Sequence, residues 1–201
     1  MAAQKKVYGQ EEKAQPKPKK FEKRALARFA GGGTSYSINI ANKSGGSQTV
    51  ALYQIDPSEV FLPLVWQQAG MQDQGTGVFH WNLQWGLSYG YSVGSTLKGG
   101  VQFKGSGPVI NVDPSVESQN GASITYVSDG GSNGNFSIHG PNQKDLPTGV
   151  LGLDTNGSFT NKIAQEQNFA VCVTVQGVPV AAIAGKPNMN YTFNTHPTYW
   201  V

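Results

Sequence analysis

VFHWNLQWGLSYGYSV, Val78 to Val93, is the stretch whose reading decides the fold. Its odd positions, Phe79, Trp81, Leu83, Trp85, Leu87, Tyr89, Tyr91 and Val93, are all apolar or aromatic. The even positions after Val78 are His80, Asn82, Gln84, Gly86, Ser88, Gly90 and Ser92, all polar or glycine. Successive side chains of an extended chain point to opposite faces, so a period of two kept this long predicts β-structure with one buried face. The parity also restricts the turn. Residues facing each other across a two-residue hairpin loop have opposite parity, so a hairpin at Gly86 would move the buried set to the other series. No such swap occurs. The stretch is therefore either one long strand bent at Gly86 or two strands joined by an odd-length bulged loop. Either form takes Trp81 and Trp85 into a core and turns Asn82 away from it.

Outward from this stretch the same reading repeats. Tyr36, Ile38 and Ile40 alternate with Ser37 and Asn39. Val50, Leu52 and Gln54 share one face of the next strand and Ala51, Tyr53 and Ile55 the other, which suits a strand between two covered surfaces. Residues 61–66 are apolar but broken by Pro63, hence an edge strand or an irregular segment. Further strand signals fall at 101–103, 109–112, 123–127, 136–138, 150–153, 169–175, 178–183 and 189–193, most of them separated by glycine-rich turns. With 26 glycines, 11 prolines and only 13% charged residues, the 201-residue chain is too turn-rich for a helical domain and long enough for a substantial core. Residues 34–201 therefore read as an all-β domain, an antiparallel β-sandwich of about ten or more short strands. In FAVCVTV, residues 169–175, both faces are apolar or small, so Cys172 is expected to be a buried filler. As the single cysteine it excludes an intramolecular disulfide.

Charge divides the chain in two. Residues 1–33 hold nine Lys and Arg against three Glu, a net of +6, while the other 168 hold six Lys against nine Asp and Glu, a net of −3. Up to Lys20 this arm is poor in apolar residues and carries Pro16 and Pro18, so it reads as extended or disordered when free. Phe21, Ala25, Leu26 and Phe29 then recur at helical spacing until Gly31 to Gly33, which predicts one short amphipathic helix near 21–30. At roughly 10 residues it is too short to be stable alone. It reads as a solvated tail with a frayed helix or as a docking helix for a partner subunit, with an arm for nucleic acid or an anionic membrane as the further use. The candidate assembly residues are Lys5, Lys6, Val7, Tyr8, Lys17, Lys19, Lys20, Phe21, Arg24, Leu26, Arg28 and Phe29, acting on other copies of the chain in a homo-oligomer, filament or shell. A nucleic-acid role through residues 1–28, as in capsid subunits whose arms neutralise phosphate, is the less favoured use, because nine basic residues beside three acids are modest for it.

Chemistry-bearing patterns are sparse. His80, His139 and His196 are far apart in sequence and lack a metal-ligand or carboxylate companion pattern. No serine sits in G-x-S-x-G, and the glycine-rich pieces lack the strand-to-helix setting of a phosphate loop. Residues 129–134 and 154–158 lack the spacing of a calcium loop. A non-enzymatic protein without metal or cofactor is the expectation. The amino-terminal residues contain no apolar run, so no secretory signal or membrane span is expected; the localisation this implies is cytoplasmic, or exported without a cleavable signal.

The end of the chain carries a resemblance. Pro187-Asn188-Met189-Asn190-Tyr191-Thr192-Phe193 followed by His196-Pro197-Thr198-Tyr199-Trp200 resembles the closing signature of the rhizosphere-induced RhiA-like family. Tyr53-Gln54 with Pro57, Leu64-Val65-Trp66, Phe79 with Trp81, and Ser137-Ile138-His139 fall in the same order, so the similarity spans residues 35–201 and leaves the arm outside. It implies no particular activity, cofactor or catalytic residue. Function thus rests on the residues themselves: a self-assembling structural or interaction protein first. The alternative is a lectin-like domain binding a carbohydrate or small ligand through the candidate stacking aromatics Tyr89, Tyr91, Tyr199 and Trp200. Their parity with the buried face favours the core for these four.

Overall fold

A computed structural model describes residues 35–56, 60–128, 134–196 and 198–201. In chain order the first strands are β1 (Ser35–Ala41), β2 (Gln48–Ile55), β3 (Leu62–Pro63), β4 (Gln67–Met71), β5 (Thr76–Asn82) and β6 (Trp85–Ser92). Next come β7 (Phe103–Gly105), β8 (Ile110–Asn111), β9 (Gly121–Ser128), β10 (Gly134–Asn142) and β11 (Val150–Thr155). A six-residue helix, α1 (Asn161–Glu166), precedes β12 (Phe169–Val175), β13 (Val178–Ala184), β14 (Asn190–Asn194) and β15 (Thr198–Trp200). The fold is all-β. The arm and its expected helix near 21–30 lie outside the described residues, as do most of 129–134.

The deciding stretch forms two strands, and the bend falls at Leu83-Gln84 rather than at Gly86. The Gln84 N–H donates to the Asn82 carbonyl (3.0 Å), and the Gln84 carbonyl accepts from the Gln176 N–H (2.9 Å). β5 and β6 do not pair with each other. β5 pairs antiparallel with β1, Tyr36 opposite Trp81, whereas β6 pairs antiparallel with β12, Val173 opposite Leu87. One chain path thus crosses from one sheet into another, which is why the parity carries through without a hairpin swap. Gly86 lies within β6, where a Cβ would meet Thr174 Oγ1 at 2.5 Å and Val109 Cγ1 at 2.6 Å. Its role is close approach, not bending.

Four sheets result. β6 sits in a six-stranded sheet ordered β3-β13-β12-β6-β7, with β8 also on β6; facing it is a four-stranded sheet ordered β10-β9-β11-β14. Leu87, Val171, Val173, Val175 and Val180 from the first meet Ala122, Ile124, Leu151, Leu153, Tyr191 and Phe193 from the second in one core. β1 with β5, and β15-β2-β4, form the two smaller sheets. Among the described residues pairing is antiparallel with one exception: β9 and β11 are parallel, Gly121 opposite Gly152. β10 returns antiparallel to β9, the chain crosses over, and β11 then runs in the direction of β9 along its free edge. β3 is an edge strand, as its proline requires.

The expected face holds in β5, where Phe79 and Trp81 are buried and Val78, His80 and Asn82 exposed. In β6 it needs correction, because Gly86, Ser88, Gly90 and Ser92 are buried as well. The outer face of the six-stranded sheet is itself covered, with Leu62, Leu64, Leu97 and Phe103 packing around Ala170, Cys172 and Ala182. The buried hydroxyls are paired: Ser88 Oγ donates to the Gly107 carbonyl (3.0 Å) and Ser92 Oγ to the Ser95 carbonyl (2.5 Å). Conversely Tyr91 and Val93, on the buried parity, are 37% and 47% exposed.

Three aromatic clusters stand along this path, each centred on a residue four further on. Trp81 packs on Tyr36 (5.8 Å between ring centroids), Trp66 (5.5 Å) and Tyr199 (4.9 Å). Trp85 packs on Phe193 (5.5 Å), which in turn meets Phe61. Tyr89 packs on Phe136 (6.1 Å) and Phe169 (6.2 Å), with Tyr126 and Phe159 behind them. Truncating Trp81 to alanine should cost about 3–5 kcal/mol in a denaturant titration, from lost burial and the cavity left between three rings. Asn82→Ala on the exposed face should cost less than about 1 kcal/mol. Equal effects at the two positions would contradict the face assignment.

Candidate functional site

Of the sequence candidates, the twelve assembly residues from Lys5 to Phe29 lie outside the described residues. The four aromatics divide. Tyr199 and Trp200 belong to β15, where Tyr199 is partly buried against Trp81 and Trp200 pairs opposite Tyr53 on β2. Tyr89 and Tyr91 come together elsewhere, at the edge of a cavity of about 210 Å³ between β6, β10 and the end of α1. Five residues that are not among the site candidates complete its lining: Ser106, Asn135, Phe136, Gln167 and Phe169, with the Gly90 backbone.

The floor of this cavity is held firmly. Phe136 and Phe169 stack at 3.8 Å with ring planes 9° apart, and the Tyr89 hydroxyl donates to the Phe136 carbonyl (2.5 Å). Burial raises the Tyr89 phenol pKa. The Tyr89 ring also lies close against the chain at Gly107, where a Cβ would come within 2.5 Å of its Cδ1. Gln167, at the end of α1, donates from Nε2 to the Tyr126 hydroxyl (3.2 Å), which leaves its Oε1 as an acceptor. α1 itself is short; Thr160 caps it by accepting from the Ile163 N–H (3.3 Å), and Ala164 is its buried residue.

A second feature is an open groove of about 590 Å³ along β2. β4 pairs with β2 over Gln48–Leu52 on one side, and β15 pairs with Tyr53–Ile55 on the other. Among the described residues no strand covers Gln48–Leu52 on the β15 side. The groove lies along this edge, walled by Ile40 to Ser44 at the end of β1, with Val50, Ala51 and Tyr53 supplying apolar surface. Asn42, buried at one end, fastens the wall: its Nδ2 donates to the Gly46, Met71 and Gln72 carbonyls and its Oδ1 accepts from Ser44.

The remaining chemistry-bearing groups have structural settings. His80, His139 and His196 are exposed and lie on different strands or loops; His139 Nε2 is 3.1 Å from Thr125 Oγ1 and His196 Nδ1 3.3 Å from Asn194 Oδ1. Among the described residues no three His, Cys, Asp or Glu gather where a metal ion would fit. Cys172 is 1% exposed and burial pushes its thiol up to about 12, so it is an inert filler of the sheet. Lys144 pairs with Asp154 and also donates to Ser123 Oγ (3.0 Å), tying the crossover before β11 onto β9. Burial lowers the Lys144 pKa. Among the described residues no helix is long and apolar enough to cross a membrane.

Comparison with known proteins gives one finding. The family model described as RhiA matches residues 33–201, the whole β-domain. No curated protein and no solved structure matches the chain.

Alkaline pH should report on the first aromatic cluster. Burial pushes the Tyr199 phenol up to about 12, with the Trp81 indole acting the other way and Tyr36 adding to the rise. A phenol whose pKa is higher folded than unfolded stabilises the fold fully below about pH 10, and that contribution is lost as pH climbs to about 12. The loss should be about 2–3 kcal/mol, and smaller between those limits in Tyr199→Phe. Denaturant titrations at pH 9 and 12 check this; an equal drop in both proteins would contradict it.

Proposed function

The chain belongs to the RhiA family over residues 33–201, a match that leaves the basic arm almost wholly outside, and we propose that it is a self-assembling, non-enzymatic interaction protein. The arm of one subunit lies on the β-domain of another. The observation that carries this reading is the edge of β2 over Gln48–Leu52, which no strand covers among the described residues, with a groove beside it. An uncovered edge presents backbone N–H and C=O groups that an added strand satisfies, and side-chain pockets alongside it give the addition specificity. Residues 5–10 are a suitable strand, because Val7 and Tyr8 offer apolar contact for Ile40, Val50 and Tyr53.

Electrostatics and length support the same partner. The arm carries +6 and the remaining residues −3, so copies attract arm to body at moderate salt. Ordering an arm costs about 1 kcal/mol or more per residue in backbone entropy, so the docked part must be limited and well paired. Phe21, Leu26 and Phe29 add apolar area to that contact. Deleting residues 1–30 should leave a folded β-domain and convert an oligomer to a monomer, as read by light scattering. The absorbance ratio at 260 and 280 nm of the full chain should be that of protein alone. An oligomer unchanged by the deletion would overturn the proposal, and a nucleic-acid ratio that the deletion abolishes would replace it with a nucleic-acid arm.

A further inference from the structure

The cavity beside Tyr89 and Tyr91 takes no part in strand addition at the β2 edge, and its chemistry is of another kind. We propose that it binds one neutral monosaccharide ring. At about 210 Å³ it falls below the roughly 300 Å³ at which ordinary small-molecule pockets begin, so it suits a single ring rather than an extended ligand. Its apolar floor, the stacked Phe136 and Phe169 with Tyr89 locked beside them, is fixed before any ligand arrives. Preformed walls lower the ordering cost of binding.

Tyr91 supplies the stacking surface. It is 37% exposed, lines the cavity and packs on no other aromatic ring among the described residues, which leaves it to stack on the C–H side of a pyranose. The polar groups match hydroxyls. Gln167 offers Oε1 as an acceptor and the second N–H of Nε2, since one of the two donates to Tyr126. The Asn135 amide and the Ser106 hydroxyl line the same space, each able to donate and accept. Neither has a side-chain hydrogen bond among the described residues. Among the described residues none that lines the cavity is charged. Within the lining itself an anionic group would lose hydration without an ionic partner, which favours a neutral ligand.

Isothermal titration of the full chain with glucose, galactose, mannose and N-acetylglucosamine tests the site, with glucuronate and glucose 6-phosphate as charged counterparts. At least one neutral sugar should bind saturably, with the charged counterparts about tenfold weaker or worse. Tyr91→Ala should weaken that binding by about tenfold or more, while Tyr91→Phe stays within about twofold. Should Tyr91→Ala melt early, Asn135→Ala at the rim provides the same test without touching the β6 core. The absence of saturable binding by any neutral sugar at tens of millimolar would overturn the inference. So would binding that survives both alanine variants, or a preference for the charged sugars. Because the cavity is remote from residues 1–30 in sequence and is lined by the β-domain alone, this result stands apart from the assembly experiment.

Discussion

Three large rings at four-residue intervals on one extended path, Trp81, Trp85 and Tyr89, hold this domain together. Each gathers rings from strands distant in sequence. Trp81 joins β1, β15 and the segment before β4; Trp85 joins the two facing sheets through Phe193; Tyr89 joins β10 and β12 through Phe136 and Phe169. A large aromatic side chain buries about 150–250 Å², so three along one path bring several sheets into one core. The constraint is geometric as well as energetic. Once the path must place these rings on one face, β5 and β6 cannot fold back on each other, and each has to find partners in a different sheet.

Both candidate surfaces are consequences of where that spine ends. At one end, Tyr199 packs on Trp81 and so seats β15 against β2, but only along Tyr53–Ile55. The rest of that β2 edge is left with a groove. At the other end Tyr89 is the last ring enclosed on the path, and Tyr91, two residues on and on the same face, reaches the surface beside the cavity. A strand that begins in the core and finishes at the surface thereby carries an aromatic from one environment to the other. The two surfaces then differ in kind: one offers backbone edge to a strand, the other uncharged polar groups over an aromatic floor.

Much of this was legible in the sequence. The period of two from Phe79 to Val93 specified β-structure and the buried tryptophans, Pro63 an edge strand or an irregular segment, and FAVCVTV a strand covered on both faces, each through a local rule. The second buried face of β6 was not legible, because Gly86, Ser88, Gly90 and Ser92 read as outward residues until Leu62, Leu64, Leu97 and Phe103 are known to cover that sheet. β4 was missed for a similar reason: QQAGM has no apolar alternation and forms a strand by pairing along β2. Neither candidate surface carries a motif. Tyr91, Ser106, Asn135 and Gln167 come from separate segments, and only the packing of those segments brings them to one cavity. The arm is the reverse case, its charge plain in the sequence and its partner absent from it.

The central claim, that the arm of one chain adds to the β2 edge of another, is tested most directly by a cross-link between isotopically distinct chains. Cysteines placed at Tyr8 and Thr49 would be the reactive pair, since Cys172 is buried with its thiol pushed up to about 12. With Tyr8→Cys on heavy chains and Thr49→Cys on light chains, oxidation of the mixed assembly should yield a disulfide-linked peptide of heavy and light origin. A protein carrying both substitutions that links only within single chains, with no heavy-to-light product from the mixture, would contradict the account.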